Sequence, residues 1–249
     1  MPNDPLTFAA LTVLIFVGAV LYSSGGHAGA SAYLAAMALF SVPAAVMKPT
    51  ALLMNILVAI IGTIRFTRAQ AVPWHLLRPL CLGSIPAAFV GGMVQLPSQI
   101  YLPFLGATLL FAAVRLWLPQ RPDHARPLPA FGWFVLIGVV LGFASGVTGI
   151  GGGIFLSPIL ILSGWEEPRR TGGAAVVFIL VNSVLGFLGH VSAARLVPSE
   201  AAVLAAIALT GGLLGSWLGV HKLNALALRR VHSSVLVVSG IKLLLEVWR

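Results

Sequence analysis

The chain has 249 residues, 59% of them hydrophobic and 8% charged, with a mean hydropathy of +1.01. Soluble domains carry roughly 25% charged residues, so this composition excludes one and describes an integral membrane protein. The net charge of +9 comes from Lys and Arg spread over short links between apolar runs, with no basic run carrying interleaved aromatics, and this argues against nucleic acid as a partner.

Ten apolar segments follow in chain order: 6–23, 30–42, 48–64, 79–95, 100–118, 131–147, 154–163, 171–189, 200–220 and 231–247. The run before residue 30 lacks the basic residues that open a secretory signal, so it reads as the first transmembrane helix. The second and seventh segments are short. At 1.5 Å per residue they reach about 15 to 20 Å against a hydrocarbon thickness of about 30 Å, which sinks their glycine-rich starts below the membrane surface.

Those two segments hold the same place in each half of the chain. Gly83-Ser84-Ile85-Pro86 likewise sits opposite Gly211-Gly212-Leu213-Leu214, and Lys48-Pro49-Thr50 opens the third segment as Arg169-Arg170-Thr171 opens the eighth. The pattern predicts an all-α integral membrane protein of about ten transmembrane segments in two inverted five-segment repeats, with short, glycine-interrupted helices 2 and 7. Residues 1–120 form the first repeat, 121–130 a polar, Pro-rich linker and 131–249 the second repeat.

Charge placement tests the inversion. If all ten segments cross, Arg65, Arg68, Arg78, Arg115, Arg121, Arg126, Arg169, Arg170, Lys222, Arg229 and Arg230 lie on one side, and Lys48, Arg195, Lys242 and Arg249 on the other. Re-entrant second and seventh segments weaken that bias, so ten crossings with both termini outside a cytoplasmic (inner) membrane are expected.

The chemistry concentrates at the two short segments. Gly149, Gly151, Gly152 and Gly153 precede the seventh, and Gly26, His27, Gly29 and Ser31 form a sparser version at the second. In an inverted pair these helix starts face each other near the midplane, each with a positive dipole end and several unpaired N–H donors, a cradle for an anion. The plainer alternative is that the glycines serve close helix packing.

All six carboxylates, Asp4, Asp123, Glu166, Glu167, Glu200 and Glu246, fall outside the membrane centre, which disfavours a cation substrate. Lys48, beside Thr50, either adds charge to the cradle or snorkels to the interface. Asn55 and Asn182 offer amide donors to an oxyanion, or bond helix to helix. His27 is a candidate switch that binds an anion when protonated, with a helix cap as the alternative. No histidine has a second metal ligand at a suitable spacing, and the single cysteine, Cys81, excludes a multi-cysteine site, so neither metal nor cofactor is expected.

Gly149-Ile150-Gly151-Gly152-Gly153-Ile154-Phe155-Leu156-Ser157-Pro158, together with Lys48-Pro49-Thr50-Ala51-Leu52-Leu53-Met54-Asn55, resembles the paired signature of the TauE/SafE family of sulfite exporter-like permeases. The resemblance covers essentially the whole chain. It implies movement of small sulfur-containing anions such as sulfite, sulfonates or sulfoacetate across the cytoplasmic membrane, mostly outward. Gly26-His27-Ala28-Gly29-Ala30-Ser31 departs from the family's richer glycine run, which makes His27 a candidate specialisation.

The expected activity is secondary transport of a small anion by alternating access, not enzymatic chemistry. An anion channel is the closest alternative. An intramembrane serine protease using Ser31 or Ser145 with His190 is a remote one, since it leaves the paired glycine clusters unexplained. The lipid bilayer is the other partner, and a homodimer is compatible with the sequence.

Overall fold

The structure is a computed structural model that describes residues 4–24, 27–117, 127–194, 197–218 and 225–246. Those residues form α1 (Pro5–Ser24), α2 (Ala30–Leu39), α3 (Ala44–Arg68), α4 (Trp74–Met93), α5 (Ser98–Trp117), α6 (Phe131–Thr148), α7 (Gly153–Leu162), α8 (Pro168–Ser192), α9 (Glu200–Leu218) and α10 (Ala225–Glu246), with no strand among them. Gly26 and most of the expected linker lie outside the described residues.

Helix lengths repeat between the halves. The second member of each has 10 residues and the third 25. Neighbours repeat as well: α4 packs on α6 and α8, as α9 packs on α1 and α3; α2 lies against α3 and α10, as α7 lies against α8 and α5. Exchanging α1 with α6, α2 with α7, and so on through α5 and α10 therefore maps this set of packed pairs onto itself.

Four helices start about a turn or more before the sequence expectation: α4 at Trp74 instead of 79, α10 at Ala225 instead of 231, and the third helix of each half. Lys48-Pro49 lies inside α3, not ahead of it, because the helix starts a turn earlier with Pro43 as its N-cap. Helix α8 likewise starts at Pro168, where the fixed φ of proline suits a first turn whose N–H has no partner in any case. Both helices are therefore about 37 Å long, enough to span with some tilt.

Burial sorts the helices into an inner and an outer set. In α2 every residue from Ala30 to Ala38 is buried, and Leu156, Leu160 and Ile161 of α7 are buried too. Helices α1, α4, α6 and α9 instead expose Val13, Leu82, Val140 and Trp217, an apolar face suited to lipid. The short helices are thus enclosed, where broken backbone is tolerated.

Glycines let the outer helices touch backbone to backbone. A Cβ on Gly83 would lie 2.1 Å from the Val135 carbonyl oxygen of α6, and one on Gly215 would lie 2.2 Å from the Val20 carbonyl oxygen of α1. Segments that matched in the sequence therefore serve equivalent seams, α4 on α6 and α9 on α1. Gly138→Ala, which would place a Cβ 2.1 Å from the Leu80 carbonyl oxygen, is expected to destabilise the protein by about 1–3 kcal/mol through overpacking. Gly132→Ala is the control, since its Cβ would meet nothing within 4 Å, and detergent melting curves of the two variants check the contrast.

Candidate functional site

Both short helices begin on a left-handed glycine. Gly29 caps α2 at φ 98° and Gly152 caps α7 at φ 77°, and neither start receives a side-chain cap. Gly149 and Gly151 also have positive φ, at 83° and 84°, a conformation that costs an L-residue roughly 1–2 kcal/mol. Among the described residues, the amides of Gly151, Gly152, Gly153 and Ile154 find no acceptor, nor do those of Gly29, Ala30, Ser31 and Ala32. Two sets of donors with the positive end of a helix behind them are what an anion requires.

A polar shell surrounds the α7 start. Asn55 is fully buried on α3 and its Nδ2 donates to the Gly149 and Ile150 carbonyls at 3.4 Å each, holding the loop against α3. The position of a Cβ on Gly151 lies 3.0 Å from Ser183 Oγ and 3.1 Å from Asn55 Nδ2. Tyr101 of α5 donates its hydroxyl to the Thr148 carbonyl at 2.9 Å. Beside this start the buried Ser145 Oγ, Ser183 Oγ and Asn55 Oδ1 have no hydrogen-bond partner, and neither do Thr50 Oγ1 and Asn182 Oδ1 on the flanking α3 and α8. Asn182 anchors itself within α8, donating to the Phe178 carbonyl at 2.7 Å.

Lys48 does not snorkel. It is 5% exposed, and its ammonium donates to the carbonyls of Gly91, Gly92 and Val94 at 3.1, 2.8 and 2.8 Å, the C-terminal end of α4. Its backbone lies alongside the loop: a Cβ on Gly149 would be 3.0 Å from the Lys48 carbonyl oxygen. Lys48 therefore meets the loop through its main chain, while its ammonium bonds to the end of α4. The same device recurs where Lys242 caps α2 through the Ala38 and Leu39 carbonyls, both at 2.7 Å. A cation at a helix C-terminus neutralises the negative dipole end and the unpaired carbonyls there.

The two tips meet through His27. Its Nε2 lies 3.1 Å from Ser157 Oγ on α7, and Ser157 donates to the Gly153 carbonyl at 3.0 Å. A serine hydroxyl has one proton, so with that proton on Gly153 the histidine Nε2 is the donor to Ser157. Tyr22 hydrogen-bonds Ser31, and Tyr33 donates to the Ala28 carbonyl at 2.6 Å, bracing the α2 start.

Of the residues expected from sequence, Lys48, Asn55, Gly149, Gly151, Gly152 and Gly153 gather at one tip, and His27, Gly29 and Ser31 at the other. Thr50 and Asn182 are buried on the flanking α3 and α8, and Gly26 lies outside the described residues. The α7 tip is closely packed: Cβ atoms on Gly151, Gly152 and Gly153 would come within 2.8, 2.8 and 2.5 Å of Ile179, Phe178 and Ile179. The arrangement is closed there. Ser183 and Tyr101 had no sequence signal, since a lone hydroxyl in an apolar run belongs to no motif, and Ser157 stood in the quoted glycine signature without being singled out.

Two short, largely buried helices with uncapped glycine starts, linked through His27 and Ser157 and set among longer helices that expose apolar faces, make up a multi-pass membrane protein with the short-helix arrangement that transporters use. The chain belongs to the sulfite exporter TauE/SafE family, which it matches over residues 10–243. It is similar to the probable membrane transporter protein y4hK of Sinorhizobium fredii, at 35% identity across 94% of this chain and 97% of the relative. It is also similar to the probable membrane transporter proteins YjnA of Bacillus subtilis, at 28% identity over 92% and 96%, and MJ0441 of Methanocaldococcus jannaschii, at 26% over 79% and 78%. No solved structure matches the chain.

Proposed function

We propose that the protein is a secondary exporter of small organic or sulfur oxyanions such as sulfite, sulfonates or sulfoacetate, working by alternating access between two inverted repeats, 1–120 and 131–249, in the cytoplasmic membrane. The observation that carries this reading is the pair of buried, uncapped helix starts, each with left-handed glycine and unpaired amides, joined by His27 and Ser157. Gly151, Gly152 and Gly153 supply backbone donors, Gly149 closes α6 through its own amide and turns the chain into the loop, Asn55 and Ser183 stand beside them, and Gly29, Ser31 and His27 supply the opposing half. Outward movement needs no further coupling, because a membrane potential of 100 mV drives a single negative charge outward with about 2.3 kcal/mol.

Counterflow separates a carrier from a channel. Proteoliposomes loaded with unlabelled sulfite are expected to accumulate external labelled sulfite transiently above equilibrium. Equilibration without overshoot, at rates beyond a carrier's, would count for a channel.

The His27 imidazole, donating through Nε2 at the junction of the tips, gains a full charge on protonation. With methanesulfonate as probe, whose own charge is fixed, flux is expected to rise as pH falls. His27→Gln should flatten that profile, and a profile that persists in the variant would remove His27 from the mechanism.

A further inference from the structure

The C-terminal ends of α1, α3 and α9 enclose a cavity of about 10 Å³ lined by Ser23, His27, Arg65 and Ser216, with Val58 and Val176 as its apolar wall. Its polar lining comes from Ser23, His27, Arg65 and Ser216. Ser23 is 5% exposed and its hydroxyl has no partner. Arg65 Nη1 donates to the Ser216 carbonyl at 2.6 Å, which uses one of the five N–H donors of a guanidinium; no carboxylate lines the space. A half-buried guanidinium beside an unmet buried hydroxyl and an imidazole, with no carboxylate in the lining, suits an oxyanion that accepts two parallel N–H bonds.

The cavity holds about one water, too little for an oxyanion of four or more heavy atoms. Something must open, and the packing indicates which seam. On the related α4–α8 side, Cβ atoms on Gly92 and Gly189 would lie 2.2 and 2.1 Å from backbone carbonyl oxygens of the facing helix. Around the cavity, a Cβ on Gly212 would instead meet the Val58 side chain at 3.0 Å and Ser23 Oγ at 3.4 Å. Side chains, not backbones, separate α3 from α9, so this is the looser of the two seams, and the Arg65 to Ser216 hydrogen bond bridges it.

We propose that Arg65 is both latch and capture residue. Closed, it caps α9 through Ser216; when α3 and α9 part, the same guanidinium, with Ser23 and His27, takes a small oxyanion and passes it to the amides at the start of α2. The proposal rests on the transport reading above and adds to it a separate station on the side where the arginines concentrate.

Membrane vesicles of both orientations test it, with labelled sulfite as probe. In inside-out vesicles, which present this side, Arg65→Gln is expected to raise KM about tenfold or more, the loss of a charge-assisted contact. Ser23→Ala should raise it about threefold, as one neutral hydrogen bond would. In right-side-out vesicles both variants should keep the wild-type KM, and Arg65→Lys should recover part of the loss because it keeps charge without the fork. Equal KM shifts in both orientations, or none in either, would overturn the proposal. Should wild-type vesicles not move sulfite, the transport reading falls first, and thermal stabilisation of the purified protein by sulfite decides the site: stabilisation lost in Arg65→Gln upholds it, and none in the wild type overturns it.

Discussion

Gly152→Val is expected to reduce sulfite flux to the background of empty liposomes while the protein remains inserted and monodisperse. Two effects act at the same atom. Gly152 sits at φ 77°, where a β-branched residue is strained beyond the roughly 1–2 kcal/mol of an ordinary L-residue, and its Cβ would fall 2.8 Å from Phe178 Cε1. Phe178 is fully buried on α8, so the ring has nowhere to go, and the α7 start must shift and lose its alignment with the α2 start. The first obstacle to the added side chain is Phe178. Gly152→Ala combined with Phe178→Ala removes the contact but keeps the backbone strain, so it should restore only part of the flux. Wild-type uptake by Gly152→Val would mean that this helix start does not handle the substrate.

Lys48→Gln should carry the second-largest effect. Three α4 carbonyls converge on this ammonium in a site 5% exposed, and hydrogen bonds to a charged donor are worth about 1.5–3 kcal/mol each when their partner is lost. Partial replacement by the glutamine amide leaves a net loss on the order of 3 kcal/mol. The melting temperature in detergent is expected to fall by several degrees and the half-saturation for sulfite to rise, because the Lys48 main chain packs against the Gly149 loop and loosening its anchor to α4 disturbs that loop. Lys48→Arg keeps the charge and should recover most of the affinity. Unchanged melting together with unchanged affinity would contradict the role in both its parts.

Much of this architecture was legible in the sequence because membrane helices announce themselves by length and apolarity. The ten segments, the shortness of α2 and α7 and the glycine starts all follow from where apolar runs are interrupted. The loss of information begins where one residue type serves several ends. Lys48 and Lys242 read as orientation signals for a membrane side, yet both turn inward to cap α4 and α2, a choice that depends on which helix end lies within reach. Glycine is equally ambiguous: Gly83 and Gly138 allow close packing, while Gly29 and Gly152 allow positive φ, and only the backbone distinguishes them. Phe178, Ile179 and Ser183 are an unremarked part of an apolar run until α8 folds over the α7 start. The pairing of His27 with Ser157, 130 residues apart, is a tertiary fact that no local pattern encodes.

The central claim is that two buried helix starts bind a small oxyanion through their amides. Purified protein on a solid-supported membrane, exposed to concentration jumps of sulfite, methanesulfonate, acetate and sodium, tests it most directly. The account predicts saturable currents of the sign expected for a bound negative charge with the oxyanions, no response to sodium with an inert anion, and loss of the oxyanion currents in Gly152→Val. Sodium-driven currents, or oxyanion currents that survive in Gly152→Val, would contradict it.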